Sequence, residues 1–186
     1  MLFLTQAPGV STMRRLLDQV YLLSGGIAAV SILAICLLVT AQVGLNVLAR
    51  LGGPALSYTI PSYADFAGYF LATASFMALA HTLRHGSHIR VNLVLTRLPA
   101  RGQWVAELVA LALGFAASAY AVWFATSLIL ESLHYGDMST GIVAIPIWIP
   151  QCAMVVGLGL LALAFIDTLI ESVRAKRPVL VDDVSE

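Results

Sequence analysis

Four uncharged runs divide this chain and dictate what it can fold into. No Asp, Glu, Lys or Arg stands between Asp18 and Arg50, between Asp65 and Arg84, between Glu107 and Glu131, or between Asp137 and Asp167. An α-helix rises about 1.5 Å per residue and needs about 20 residues to cross roughly 30 Å of hydrocarbon. Each run is long enough, or nearly so, to span a bilayer. Only helices and closed barrels satisfy their own backbone in lipid, and no run alternates with the period of two that a barrel strand requires. Composition agrees: 11% of residues are charged, against roughly 25% in a soluble domain, and mean hydropathy is +0.91.

The fold class expected is therefore an all-α membrane protein, a single domain over residues 1–186. Its four transmembrane helices are placed at about 19–49, 64–84, 104–131 and 146–170, with flexible tails over 1–13 and 175–186. The first run is about twice the length of the usual 7–15-residue signal core, and no small-x-small site closes it, so it reads as a helix that stays. Residues 1–12 form an untidy leader before Met13-Arg14-Arg15, and Met1 and Met13 are both compatible starts. A net charge of zero argues against nucleic acid as a partner. Cys36 and Cys152 each lie inside an apolar run and read as small buried hydrophobes, with no redox or disulfide framework.

The cations sort by loop. Arg14 and Arg15 precede the first helix. Arg84, Arg90, Arg97 and Arg101 lie between the second and third, and Arg174, Lys176 and Arg177 follow the fourth; only Arg50 of the ten Lys/Arg falls elsewhere. The positive-inside rule then puts both termini and the 84–103 connection in the cytoplasm, with the 50–63 and 131–145 loops outside. Ser62 and Asp65 have capping-box spacing before the second helix. Pro146 stands where the fourth would begin, and Pro150 a turn inside it. Trp104 and Trp148 fall at opposite interfaces, as aromatic anchors do.

Between the second and third runs, residues 81–98 collect three of the four histidines and three of the ten cations. Val91, Val94, Leu95 and Leu98 follow an i, i+3, i+4, i+7 pattern, with Arg90, Asn92, Thr96 and Arg97 largely off it and Pro99 as the stop. This predicts a short amphipathic helix over about 88–99 lying in the membrane interface, arginines toward phosphates; a loop packed on the helix ends is the alternative. Small residues recur every four positions at Ala110, Gly114 and Ser118 and at Ala153 and Gly157, which lets helices approach closely in lipid.

The chemistry of a carrier is missing. Transporters place ionisable groups mid-membrane, yet Asp65, Glu107, Glu131 and Asp167 all lie within about two turns of an expected helix end. Gln42 and Asn46, one turn apart, are the deepest strongly polar residues, and interhelical hydrogen bonding suits them better than a pathway. His81, His85 and His88 share i, i+4, i+7 spacing, which keeps open a haem-binding membrane redox subunit. Against that, His134 lies at the other membrane face and no thiolate or carboxylate cluster completes a metal site. No nucleophile elbow, Walker loop, metalloprotease motif or dinucleotide fingerprint is present, so neither an enzyme nor a cofactor is expected.

Several short marks occur in a characteristic order. Asn46-Val47-x-x-Arg50 closes the first helix and Asp65 opens the second. His88-Ile89-Arg90-Val91 lies in the cytoplasmic connection, and Pro146-x-Trp148 opens the fourth helix. On these the chain, over about residues 14–175, resembles the small membrane subunit (DctQ-like) of tripartite ATP-independent periplasmic (TRAP) transporters. It departs from the family pattern at Asn92, where an acid is frequent, at Leu51, where an aromatic is frequent, and at Tyr63-Ala64-Asp65-Phe66, where a Trp and paired acids are common. The resemblance implies a bacterial inner-membrane scaffold subunit of an ion-gradient-driven uptake system for carboxylate-type solutes. Its partners are then a large membrane subunit that carries the solute, a periplasmic solute-binding protein and the lipid bilayer. Asn46, Arg50, Asp65, Arg84, His88, Arg90, Arg97, Trp104, Pro146 and Trp148 are the residues it singles out for interface or anchoring.

Overall fold

A computed structural model of the chain describes residues 8–53, 57–84 and 99–176. Four helices make up the fold: α1 (Pro8–Gly52), α2 (Tyr63–Arg84), α3 (Ala100–Tyr135) and α4 (Trp148–Ala175). Each is long and apolar enough to cross a membrane. The amphipathic helix expected over about 88–99 lies outside the described residues, apart from Pro99. That proline caps the start of α3, its carbonyl accepting the Gln103 N–H at 3.1 Å.

The helices run further than the uncharged runs that announce them. α1 holds 45 residues, about 68 Å, and starts at Pro8, inside the stretch expected to be a flexible tail. Charge marks where a helix leaves hydrocarbon, not where its backbone stops, and Pro is well suited to a first turn. α3 continues to Tyr135 and ends on Gly136 at φ 67°, a left-handed cap whose N–H bonds Ser132 O. α4 begins at Trp148, so Pro150 falls in the first turn, where no intrahelical N–H bond is lost.

Packing follows the order α1, α2, α4, α3: the extensive seams are α1 on α2, α2 on α4 and α4 on α3. The covered face of α1 steps through Leu17, Tyr21, Ser24, Ala28, Ser31, Ile35, Leu38, Gln42, Leu45 and Ala49, alternately four and three residues apart. That period of 3.5 belongs to shallow, left-handed helix crossings. The rest of α1 is almost entirely open to lipid, including Leu22, Leu23, Val30, Leu33 and Leu37, each more than half exposed. Cys36 shares that open face and Cys152 is half-buried, so the cysteines are not core residues.

Small residues set how close the helices come. A methyl group at Gly157 would sit 2.5 Å from the carbonyl of Phe76, and one at Gly114 would sit 2.6 Å from the Phe165 ring. Ala110 is exposed, because steps of four rotate off a seam that alternates threes and fours; the covered stripe on α3 is Glu107, Leu111, Gly114, Ser118 and Ala125. Most buried hydroxyls close on their own helix, as Ser24 does on Tyr21 O and Thr168 on Ala164 O, both at 2.8 Å. Gly157→Ala should therefore destabilise the detergent-solubilised chain by about 1–3 kcal/mol. Gly159→Ala, with nothing within 4 Å of the new methyl, should leave thermal unfolding unchanged or slightly raised.

Candidate functional site

Polar chemistry gathers at the two ends of the helix layer. The cation-rich end begins from an apolar plug, in which Tyr21 of α1, Ala80 and Leu83 of α2 and Ala164 of α4 pack together, flanked by Leu17, Leu160, Leu161 and Phe165. Directly beyond it, the last residue of α2 meets three carboxylates. Arg84 Nη1 lies 3.3 Å from Glu171 Oε2 and 3.3 Å from Asp167 Oδ2, and Nη2 lies 3.6 Å from Asp18 Oδ1. Its guanidinium stands 5.9 Å from the centroid of the Tyr21 ring. Arg14 Nη2 donates to Glu171 Oε1 at 2.6 Å. Two guanidiniums and three carboxylates from α1, α2 and α4 thus form one network.

Exposure ranks its members. The Arg84 side chain is 15% exposed, while Arg14 is 47% and Asp18 55%. Exposed pairs contribute about 0–1 kcal/mol each, whereas a desolvated guanidinium, which keeps its charge, needs its carboxylates to offset the cost of leaving water. Arg84 is the centre of the network. Beside it, Trp104 of α3 donates its indole N–H to Ser172 O of α4 at 3.1 Å, tying the two helices. Glu107, 7% exposed, lies in the same α3–α4 seam.

The opposite end is a clasp of loops. Gln42, 3% exposed, accepts the Ile60 N–H at 2.9 Å and donates to Asn46 Oδ1 at 3.1 Å. The side chain expected to bridge helices instead holds loop backbone to α1. Ser62 opens α2 at φ 54°, its carbonyl accepting the Phe66 N–H at 3.1 Å. Its hydroxyl accepts the Val143 N–H at 3.0 Å, reaching across to the α3–α4 loop. Gly141 of that loop packs so closely on Ser62 and Asp65 that any Cβ there would collide with both. The loop is itself folded back, with Ser139 N–H to Ile145 O at 2.8 Å and Ile147 N–H to Asp137 O at 3.1 Å. Pro146 bridges Met138 in this turn, Trp148 opens α4, and Arg50 is exposed in the last turn of α1.

Of the residues singled out from sequence, Asn46, Asp65 and Pro146 belong to this clasp. Arg84 and Trp104 belong to the cation-rich end, and His88, Arg90 and Arg97 lie outside the described residues. The sequence reading missed Asp18, Asp167 and Glu171. Their signal was available: acids on the cation-rich side, two of them at i, i+4 on one helix, need cationic partners. Among the described residues the two histidines stand apart: the His81 ring packs against Gly25 and His134 lies near the opposite end beside Tyr135, while His85 and His88 lie outside the described residues. Arg84→Met should lower unfolding stability by about 1–3 kcal/mol, less than the 3–5 kcal/mol of a fully buried pair because its partners are partly solvated. Arg14→Met should cost less than half as much. Gln42→Leu should cost between about 0.6 and 1.7 kcal/mol, the mean and the maximum for hydrogen bonds between membrane segments.

Compared with known proteins, the chain matches a family model, the DctQ component of tripartite ATP-independent periplasmic transporters, over residues 35–175. No curated protein and no solved structure matches it. The match takes in both ends of the layer, from Gln42 and Asp65 to Arg84 and Glu171, and well over half of the 186 residues. The chain belongs to the DctQ family, the small component of TRAP transporters.

Proposed function

We propose that this chain braces the large membrane subunit of a TRAP uptake system and does not itself carry the solute. One observation carries this reading: among the described residues, every charged side chain of the four helices lies near one end or the other. A carrier needs a desolvated ionisable or polar site at mid-depth to hold its ion or substrate. Here the middle of the layer holds aliphatic side chains and glycine contacts, while the ends hold clasps. Such a layer resists bending and offers long faces to a neighbour.

In this reading the system draws on an ion gradient and sits in a bacterial inner membrane, which the ATP-independent, periplasmic character of the family supports. The solute is of the carboxylate type that the family resemblance implies, delivered by the periplasmic binding protein. The cation-rich end is the cytoplasmic one, by the positive-inside rule, with both termini there. Arg84 already serves three carboxylates of its own chain, so contact with lipid phosphate or the large subunit falls to Arg90 and Arg97.

Coexpression with the large subunit tests the reading. Expected are equimolar co-purification, loss of uptake when this chain is omitted, and uptake that survives ATP depletion but not an ionophore. A large subunit that takes up solute equally well alone would overturn it. Replacing Arg90 and Arg97 together should reduce co-purification without lowering the stability of the isolated chain. For orientation, Ile142→Cys in a chain with Cys36 and Cys152 replaced by Ala should react with an impermeant maleimide in intact cells, and Leu16→Cys only after lysis.

A further inference from the structure

The contacts that bind α1 to α4 gather at a single end. Along most of its length α1 shares its seam with α2. At the cation-rich end it also reaches α4, directly through Arg14–Glu171 and indirectly through Arg84, which takes Asp18 of α1 and both Asp167 and Glu171 of α4. The residues next along the α1 seam, Ser24, Ala28 and Ser31, are small and let α1 approach α2, as Gly25 does against the His81 ring. They hold α1 to α2 and leave its hold on α4 to the cation-rich end.

We propose that this five-charge cluster is a latch, one that fixes the cation-rich end of α1 to α4 and can open without unfolding the layer. Glu171 is its bolt. It is the carboxylate that joins Arg14 to Arg84, so removing its charge cuts the one direct α1–α4 ion pair of the cluster and leaves Arg84 to Asp18 and Asp167. The α2–α4 pair then stays joined by Arg84–Asp167 and by the close approach of Gly157 to Phe76. The end of α1 is left to Leu17, Tyr21 and the long Arg84–Asp18 pair at 3.6 Å, whose carboxylate is half exposed. The latch can also be competed open, because Arg14 and Asp18 are about half exposed and ions reach both. The inference rests on the geometry of the cluster and stands apart from the transporter reading.

Spin-label distances in the full-length chain in lipid nanodiscs test it. Labels go on Leu16→Cys and Val173→Cys, exposed neutral positions flanking the cluster, with Cys36 and Cys152 replaced by Ala. A second pair, Leu71→Cys and Val156→Cys, reports on α2 against α4. At low salt the Leu16–Val173 pair should give one narrow distribution, and at high salt a second, longer population. Glu171→Gln should show the longer population already at low salt and lose the salt response, with the Leu71–Val156 distances unchanged. A Leu16–Val173 distribution in Glu171→Gln identical to the unmodified chain at both salts would overturn the proposal. So would a simultaneous change in the Leu71–Val156 pair, which would make the cluster a general support of the fold.

Discussion

Inside hydrocarbon, an apolar side chain gains almost nothing by leaving lipid for another apolar side chain, and the whole architecture answers to that fact. Helices here hold together by close approach and by polar contacts. Close approach requires glycine at 114 and 157, where a single methyl would meet a ring or a carbonyl. Polar contacts are cheap to place only where water or headgroups share the cost of desolvation, so they lie at the ends. The middle of each helix is left to hydroxyls that close on their own backbone and to aliphatic surface.

The large features were readable from the amino-acid order because hydrocarbon thickness and charge exclusion are one-dimensional constraints. Four charge-free runs predicted four helices. Helix ends were less readable: Pro8 and Tyr135 extend beyond the runs, since backbone helicity continues into the headgroup region at no penalty. Pairing was not readable at all. Nothing in the order of residues says that α2 contacts α4 while α3 waits at the edge, because that follows from which stripes fit. The four-residue spacing of Ala110, Gly114 and Ser118 illustrates the limit, two of the three facing α4 and the first turned away.

Much of the candidate site was readable as position and little of it as contact. Arg84 was read as a cation at the end of the second helix, and it is the last residue of α2. Its orientation depends on Asp18, Asp167 and Glu171, which lie far from it in sequence and meet it only because α1 packs antiparallel to α2 and α4 packs parallel to α2. Gln42 was likewise recognised as too polar for its depth, but its partner is the backbone of Ile60, and backbone N–H groups carry no signature in a sequence. Ser62 shows the same thing at a helix start, where the capping hydroxyl turns to Val143 of a distant loop.

The order of the layer bears on how the chain is made. A ribosome delivers α3 before α4, yet α3 has its extensive seam with α4 and with no other helix. α1 and α2 can pair as a hairpin as soon as both are in the bilayer. The third helix enters with Gly114 and the Glu107 carboxyl facing no settled neighbour, and it must wait for the last 28-residue helix to arrive. That interval between two insertion events is when this protein most needs a chaperone, or the prompt synthesis of its own C-terminal segment.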